Sequence, residues 1–290
     1  MLDEGSRRGG VLAVVGGGQL GMMIGEAAAG LGVQCRFLDP NPGSPAARVG
    51  EMVVGAYDDP VALARLIEGA DAATYEFENV PAEAAEWLEA HVATHPPSRA
   101  LAVCQDRLLE KELFGEVGIG TAPFERVDHE EELRAAVARV GLPCVLKTRR
   151  LGYDGRGQCV IRGVEEVGSA WEVVGRAASI VEGYVKFGRE VSVIAVRGRD
   201  GAMRFWPLTQ NRHEAGILRE SVAPAPGVDG AMQERAEAMA RGVMERLGYV
   251  GVMAIELFDC GGGELLGNEM APRVHNSGHW TIEGSETSQF

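Results

Sequence analysis

The sequence predicts an α/β protein that begins with a doubly wound, mostly parallel sheet. Residues 11–40, "VLAVVGGGQLGMMIGEAAAGLGVQCRFLDP", alternate an apolar strand, a glycine loop, a helix and a second apolar strand. From residue 189 the pattern changes to longer strands of alternating apolar residues. Glycine makes up 40 of the 290 residues, mostly in clusters between apolar runs, about twice the usual frequency of ~7%. Such clusters are typical of loops that let the backbone approach a ligand closely.

The first domain is predicted over residues 1–100. After the opening unit, "EMVVGAYDDPVALARLIEGADAATYEFENV" continues the alternation, with a helix over 60–68 and a strand that ends near Glu76. The segment "HPPS" at 95–98 marks a break in this pattern. These elements together form one doubly wound domain.

Two further segments follow, over residues 101–186 and 187–290. The first contains, in order, the helix "DRLLEKELFGEVG", a helix over 129–140, the strand "CVLKT", the loop "RRLGYDGRG", the strand "QCVIR", a helix near 164–176 and the strand "SIVEGYV". The second contains, in order, the strands "REVSVIAVR" and "MRFWPLT", a helix over 230–247 and the paired strands "GVMAIELFDC" and "GELLGNE".

Composition excludes several classes of protein. A formal net charge of −14 and a pI near 5.0 argue against nucleic-acid binding, which needs a basic face. Any anionic substrate must therefore meet locally placed Lys, Arg or metal. The five cysteines are odd in number and form no C-x-x-C pair, so we expect no disulfide framework, no zinc site and a reducing cytoplasm. No apolar stretch approaches the ~20 residues of a membrane span.

The loop Gly16–Gly21 satisfies G-x-G-x-x-G after a strand, and Asp39 ends the next strand at the spacing of a ribose-binding acid. Taken alone, this pattern indicates NAD. Any phosphorylated ligand at a helix N-terminus needs the same close backbone approach, however, and tight packing produces a similar sequence. These three interpretations stay open at this stage.

A second motif is "KTRRLGYDGRGQ", residues 147–158, in which four of twelve residues are Lys or Arg and three are Gly. Its strand-loop-strand setting predicts a flap over an anion, because a Walker P-loop would lead into a helix. The alternative is an exposed basic hairpin tip. Lys147 ends an apolar strand, which is uncommon for a lysine without an anionic partner.

A third motif is the pair Glu256 and Glu269, each within an apolar strand. If the hairpin turn centres on Gly262 and Gly263, these two residues lie directly opposite each other. Opposed like charges destabilise a pair of strands, so a cation is expected between them, and oxygen ligands suit Mg²⁺. A slipped register or two unrelated surface glutamates would remove this site.

Two weaker signals accompany these motifs. Glu182 ends an apolar strand and Glu190 begins the next, a setting that could present backbone groups to a purine and a carboxylate to a ribose. His275 and His279 have the i, i+4 spacing of zinc ligands, but the glutamate of H-E-x-x-H is absent. Zinc is therefore disfavoured.

Together these residues resemble the ATP-grasp superfamily and, within it, the N5-carboxyaminoimidazole ribonucleotide synthetases. The resemblance covers nearly the whole chain and rests on "GGGQLGMM", "GYDGRGQ", "PLTQNRHEAGILRESVAP", "GYVGVMAIELF" and "NEMAPRVHNSGHWTIEG". It implies a pre-ATP-grasp domain over 1–100, an ATP-grasp small subdomain with its flap over 101–186 and a large subdomain over 187–290.

The resemblance implies an enzyme that uses ATP, Mg²⁺ and bicarbonate to carboxylate 5-aminoimidazole ribonucleotide through carboxyphosphate. A homodimer in the cytoplasm is expected, with no nucleic-acid or membrane partner. The implied nucleotide ligands are Arg107, Lys147, the flap residues Gly152, Tyr153, Asp154, Gly155, Arg156, Gly157 and Gln158, the adenine strand Glu182, Gly183, Tyr184 and Val185, the ribose ligand Glu190, and His213, Asn268 and Glu269.

The remaining implied roles belong to metal, bicarbonate and ribonucleotide. Glu256 and Glu269 are the implied Mg²⁺ ligands, and Arg273, His275 and Asn276 are the implied catalytic residues that hold bicarbonate for attack. The implied ribonucleotide ligands are Gly18, Gln19, Leu20, Glu76, Tyr153, Asp154 and Arg156.

The sequence departs from the family pattern at two places. It stops at "SQF", where the family continues into a further C-terminal domain, so the chain is expected to be truncated. Gly267 replaces an apolar residue and is expected to loosen its strand. Three alternatives stay open: another ATP-grasp ligase, a nicotinamide-dependent oxidoreductase, and a fragment that binds nucleotide without turnover.

Overall fold

The computed structural model describes residues 9–152, 156–214 and 216–290. The chain divides into two compact units, Met1–Leu101 with Phe290, and Ala102–Gln289. The second boundary expected from the sequence, after residue 186, lies within the second unit, between two separate sheets. No helix in the described part of the chain is both long and apolar enough to cross a membrane.

The first unit is built on a four-stranded parallel sheet in the order β3-β2-β1-β4. Its elements are β1 (Val11–Val15), α1 (Gln19–Gly30), β2 (Gln34–Asp39), β3 (Glu51–Val54), α2 (Pro60–Ile67), β4 (Ala72–Tyr75) and α3 (Ala82–His91), and α4 (Ser98–Cys104) crosses the division between the units. Alternate residues of β1 face opposite sides. Val14 packs in a cluster with Phe37, whereas Val15 packs with Leu63. Both faces are therefore covered, which confirms the predicted doubly wound sheet.

The second unit begins with α5 (Arg107–Glu116) and a four-stranded antiparallel sheet in the order β5-β8-β6-β7. Its elements are β5 (Phe124–Val127), α6 (Glu130–Val140), β6 (Cys144–Thr148), β7 (Gln158–Ile161), α7 (Val167–Val173) and β8 (Ser179–Gly183). The helix expected over 164–176 is shorter, since a 3₁₀ turn precedes α7. Gly175 and Arg176 take left-handed φ angles of 67° and 56°, which stop the helix.

A larger antiparallel sheet follows in the order β12-β11-β9-β13-β14, with β10 paired to β9. Its elements are β9 (Arg189–Arg197), β10 (Met203–Phe205), β11 (Thr209–Glu214), β12 (Ile217–Val222), α8 (Gly230–Leu247), β13 (Gly251–Gly261), β14 (Glu264–Ala271) and α9 (Thr281–Gly284). The expected strand "MRFWPLT" is instead split between β10 and β11. Pro207 lies at the break and has no N–H to donate to a ladder.

Helix α5 packs against β14 of the larger sheet, whereas the sequence groups this helix with the smaller sheet. A Cβ at Gly267 would lie 2.9 Å from Phe114 of α5 and 3.0 Å from Ile119. Glycine therefore allows the close approach of the helix. The sequence predicts that Gly267 loosens β14, and the structure shows in addition that the missing side chain makes room for α5.

Candidate active site

The two predicted metal ligands lie opposite each other in the β13–β14 hairpin. Glu256 pairs with Glu269, and the turn is formed by Gly262 and Gly263, as the sequence predicts. From Leu257 to Asp259, each residue pairs one position away from the partner that a regular hairpin would give it. The pairing shifts between Glu256 and Leu257 and shifts back between Asp259 and Gly261. The predicted pairing holds because these two irregularities cancel.

The two carboxylates have opposite electrostatic environments. Burial raises the pKa of Glu256 to about 8, and the nearby Glu269 adds to this effect. Burial would also raise the pKa of Glu269, but Arg107 outweighs it and lowers that pKa to about 2. Arg107 Nη1 lies 3.0 Å from Glu269 Oε2. One carboxylate is thus paired with an arginine, whereas the other has a histidine as its ionisable neighbour.

His275 lies beside Glu256, with Nε2 3.5 Å from Glu256 Oε1. Its Nδ1 lies 2.8 Å from Ser277 Oγ and accepts from the Ser277 N–H at 3.3 Å. Nδ1 is therefore assigned as the acceptor and Nε2 as the protonated nitrogen. Burial first, and Arg273 second, lower the pKa of His275 to about 3. The imidazole is neutral near pH 7.

The other two predicted bicarbonate residues flank His275 along the chain. Arg273 Nη1 donates to the Val274 carbonyl at 2.9 Å, and its charge reaches His275. Asn276 is exposed at the start of a 3₁₀ turn, Asn276–Gly278. All three residues directly follow β14, so the structure places them at the same end of the hairpin.

Buried charge links the predicted nucleotide residues at the end of β8. Glu182 Oε2 lies 3.1 Å from Lys147 Nζ and 3.5 Å from Lys111 Nζ. Burial opposes ionisation of Glu182, but Lys147, Lys111 and Arg107 together hold its pKa below the usual range. Glu182 Oε1 is buried and has no hydrogen-bond partner in the described part of the chain. That oxygen is available to a ligand donor.

The predicted adenine strand offers fewer backbone groups than the sequence suggests. The Gly183 N–H donates to the Pro123 carbonyl at 2.8 Å, and the Tyr184 N–H donates to the Pro143 carbonyl at 3.2 Å. For Val185, no hydrogen bond forms among residues 9–152, 156–214 and 216–290. Val185 therefore keeps the peptide group that a purine edge could use.

Glu190 and His213 form a second polar pair. His213 Nδ1 lies 2.7 Å from Glu190 Oε2, and this hydrogen bond raises the pKa of His213. A β-bulge between Arg212 and His213 displaces the histidine from the regular ladder of β11 and β12, as bulges near functional sites commonly do.

The described part of the flap is anchored at its base. The Thr148 N–H donates to the Gly157 carbonyl at 2.8 Å, and Gln158 pairs with Lys147. A Cβ at Gly157 would lie 2.6 Å from Thr148 Oγ1, and φ there is 68°, so glycine is required. A Cβ at Gly152 would lie 3.1 Å from the same oxygen. Arg156 is exposed, whereas Tyr153, Asp154 and Gly155 lie outside the described residues.

In the first unit, the loop Gly16–Gly21 is occupied by the protein's own carboxylates. Glu76 accepts from the N–H of Gly18 at 2.5 Å and from that of Gly21 at 2.6 Å, where Gln19 and Leu20 begin α1. Asp39 accepts from the Gly17 N–H at 2.9 Å and from the Tyr57 hydroxyl at 3.0 Å. Asp39 is thus used to hold the loop, which argues against a ribose ligand of a dinucleotide.

Two residues of α5 complete the site and were not singled out from the sequence. Lys111, 1% exposed, donates to the carbonyls of Gly267 and Asn268 at 3.2 and 2.6 Å. Glu110 accepts from the Met270 N–H at 2.6 Å, and burial raises its pKa to about 8. Arg107, Glu110 and Lys111 share a face at i, i+3 and i+4. That spacing of charges in "DRLLEK" was the available signal.

Comparison with known proteins agrees with this geometry. Residues 10–105 match the ribonucleotide synthetase preATP-grasp domain, and residues 112–290 match the ATP-grasp domain. The N5-carboxyaminoimidazole ribonucleotide synthase of Pseudomonas aeruginosa is 48% identical over 96% of this chain and 76% of its own length. The chain belongs to the N5-carboxyaminoimidazole ribonucleotide synthase family. The dinucleotide interpretation of the first loop is therefore wrong.

Solved structures of N5-carboxyaminoimidazole ribonucleotide synthases share the fold. The synthetase of Thermus thermophilus is 54% identical with a TM-score of 0.91, over 96% of this chain and 75% of that one. The Aspergillus clavatus synthase, solved with ADP and 5-aminoimidazole ribonucleotide, is 29% identical with a TM-score of 0.90, over 97% and 74% of the two chains. The chain thus spans about three quarters of the length of these synthases.

Proposed function

We propose that this enzyme carboxylates 5-aminoimidazole ribonucleotide to N5-carboxyaminoimidazole ribonucleotide in purine biosynthesis, releasing ADP and phosphate. A bicarbonate oxygen attacks the γ-phosphorus of ATP, and the bond to the ADP oxygen breaks. The resulting carboxyphosphate transfers its carboxyl group to the amine of the ribonucleotide, which loses a proton as phosphate leaves. Such steps depend on positioning and charge neutralisation more than on a covalent nucleophile.

The opposed pair of Glu256 and Glu269 is the observation that carries this proposal. Two carboxylates across one hairpin, with the buried Asn268 Oδ1 lacking a partner among the described residues, fit a hard cation with oxygen ligands. Glu256 and Glu269 would hold Mg²⁺, with Asn268 beside them. Bound there, Mg²⁺ would neutralise charge on the ATP phosphates.

The nucleotide residues follow from the same end of the second unit. Arg107 and Lys147 supply positive charge to the phosphates, under the flap whose described part includes Gly152 and Arg156–Gln158. Val185 keeps a peptide group for the adenine edge, and Glu182 Oε1 lies in the same strand end. Glu190, held by His213 at 2.7 Å, would accept hydrogen bonds from the ribose hydroxyls.

Bicarbonate would bind where β14 ends. Arg273 presents a fixed fork of donors to a small planar anion, and Asn276 is exposed nearby. His275 is neutral near pH 7 and carries its proton on Nε2, so it would orient bicarbonate by donating a hydrogen bond. The proton on Nε2 therefore favours a role for His275 in orienting bicarbonate over a role in proton transfer, whereas the sequence leaves both roles open.

The ribonucleotide residues of the first unit are the helix N-terminus at Gly18–Leu20 and the carboxylate of Glu76. The backbone N–H groups there already donate to an anionic group, since Glu76 occupies them. Such a site suits a ligand that exchanges hydrogen bonds with both the amides and the carboxylate. Tyr153, Asp154 and Arg156 of the flap stay predictions for the same ligand.

The test is ADP release by the 290-residue chain with Mg-ATP, with and without bicarbonate and 5-aminoimidazole ribonucleotide. We expect release only when both are present, with one N5-carboxyaminoimidazole ribonucleotide formed for each ADP. ADP release without the ribonucleotide, or carboxylation without ATP, would contradict the proposal. Replacing Mg²⁺ by EDTA tests the metal separately.

We also propose a cytoplasmic homodimer. The five free cysteines support a reducing compartment, and the family resemblance supports the dimer. Light scattering on the purified chain distinguishes a mass of twice 30.9 kDa from that of a monomer.

A further inference from the structure

Gln289 is a buried polar residue that the reaction has not so far used. Its side chain is 3% exposed, and it makes paired hydrogen bonds to a single residue. The His275 N–H donates to Gln289 Oε1 at 2.9 Å, and Gln289 Nε2 donates to the His275 carbonyl at 2.7 Å. The carboxamide thus contacts both peptide groups of His275, as a neighbouring β-strand would, and the His275 carbonyl also accepts from the Gly278 N–H at 2.9 Å.

The same residue also contacts the turn that follows His275. The Gln289 N–H donates to Thr281 Oγ1 at 2.9 Å, and that hydroxyl donates to the Gly278 carbonyl at 2.7 Å. A Cβ at Gly278 would overlap Gln289 Oε1, so glycine is needed for the contact. Gln289 therefore contacts both ends of the segment 275–281.

The segment before Gln289 is itself fixed to the large sheet. Trp206 Nε1 donates to the Thr287 carbonyl at 3.1 Å, and Trp280 Nε1 donates to Thr209 Oγ1 at 3.0 Å. The backbone just before Gln289 is consequently tied to the segment between β10 and β11 of the large sheet. A group that must be placed within about 0.5 Å needs this kind of support.

We propose that Gln289 is a positioning residue for bicarbonate, acting through the backbone of His275. It fixes the peptide of His275 in its extended conformation, φ −129° and ψ 151°, while Ser277 holds the ring. This inference rests on the proposed function. Only asparagine and glutamine side chains supply both an acceptor and a donor amide, and asparagine is one methylene too short to keep both contacts.

The experiment measures ADP release by the full chain against bicarbonate concentration and, separately, against ATP concentration. The variants are Gln289→Ala, Gln289→Glu and the matched control Glu286→Ala, an exposed residue of the same segment. Gln289→Glu keeps the size and the acceptor but cannot donate to the His275 carbonyl. If Gln289→Ala lowers the melting temperature, Gln289→Glu replaces it as the test of the role of Gln289.

We expect both Gln289 variants to raise the KM for bicarbonate about tenfold, because Gln289→Ala leaves the His275 N–H without its partner and Gln289→Glu places a second carboxylate oxygen against the His275 carbonyl. The KM for ATP should change less than about twofold, and Glu286→Ala should match the wild type. An unchanged KM for bicarbonate in both variants, or parallel rises in both KM values, would overturn the role of Gln289. Wild-type turnover that needs no bicarbonate would instead remove the proposed function on which it rests.

Discussion

At the scale of single residues, Glu256 and Glu269 show how position sets the chemistry of identical side chains. Both lie in one hairpin, yet the pKa of one is raised to about 8 and that of the other is lowered to about 2. Burial acts on both, and the difference arises because Arg107 contacts Glu269, while Lys147 and His275 also lower the pKa of that carboxylate. A cation between them would remove the repulsion that otherwise keeps them from both being ionised.

The assignment of Glu269 predicts the effect of Glu269→Gln. The amide keeps the size of the side chain but lacks the charge that a metal ligand needs, so Mg²⁺-dependent ADP release should fall at least about 100-fold. Glu234→Gln, on the exposed face of α8, is the control and should be unaffected. Melting temperatures check that the fold is intact. Undiminished turnover in Glu269→Gln would remove the metal assignment.

The sequence identified these residues because their pattern is local. The distance of each glutamate from the turn predicts their pairing, and this prediction holds because the two register shifts in the hairpin cancel. It did not identify Lys111 or Gln289, whose partners lie 157 and 14 residues away along the chain. Their roles depend on which backbone groups tertiary packing leaves unpaired, and residue type alone does not reveal this.

At the scale of elements, α5 connects the two sheets of the second unit through Lys111. Its ammonium contacts Glu182 at the end of β8 and two carbonyls of β14. Burial lowers the pKa of Lys111, although Glu182 opposes this. One side chain thus contacts both the predicted adenine strand and the strand that carries Glu269.

Lys111→Met should therefore destabilise the protein by about 3–5 kcal/mol, because it leaves a buried carboxylate short of one partner. The measurement is urea unfolding at pH 7. Lys186→Met, an exposed lysine, is the control and should change stability by less than about 0.5 kcal/mol. A loss that small for Lys111→Met would show that Lys147 alone compensates Glu182.

The start of α5 predicts a dependence on pH. Asp106 caps the helix by accepting from the Leu108 N–H at 3.0 Å, and Arg149 contacts both of its oxygens. Burial opposes ionisation of Asp106, but Arg149 and the capping bond hold its pKa below the ordinary 3.8. The carboxylate therefore contributes stability above about pH 4, and this contribution is lost as pH falls through the lowered folded-state pKa.

Asp106→Asn should accordingly cost about 2 kcal/mol at pH 7, where the carboxylate is charged. The difference from the wild type should shrink below pH 4, as the wild-type group becomes neutral as well. Urea titrations at pH 7, 4 and 3 measure it. Asp200→Asn, in an exposed turn, should show no comparable trend, and a constant difference for Asp106→Asn would contradict the assignment.

The strands and helices with clear periodicity were predictable, including α8 over its full length, Gly230–Leu247. Asp229 and Gly248 bound that helix with a cap and a left-handed residue. The ends of α7 and β10 were not predictable from periodicity. They depend on a glycine–arginine turn and a proline whose effects override the apolar pattern.

At the scale of the whole molecule, the chain has a net charge of −14, although the ligands proposed for its sites are anions. In the second unit, the cations of the proposed nucleotide site are paired with carboxylates, Arg107 with Glu269 and Lys147 with Glu182. Local pairs of this kind matter more than net charge, because exposed charges beyond about 10 Å are largely screened at 0.1 M salt.

The division of proposed sites between the two units predicts separate responses in hydrogen exchange. The residues proposed for the nucleotide belong to Ala102–Gln289, whereas Gly18–Leu20 and Glu76, proposed for the ribonucleotide, belong to the first unit. Mg-ATP at about 100 times its Kd adds up to about 2.7 kcal/mol of protection to structure that binds it. Slowed exchange is expected in β6, β8 and the β13–β14 hairpin, with little change in β1, β2 and β4.

Adding 5-aminoimidazole ribonucleotide should then slow exchange at residues 16–21. ATP with EDTA is the control that isolates the metal, and protection confined to the first unit on adding Mg-ATP would contradict the nucleotide assignment.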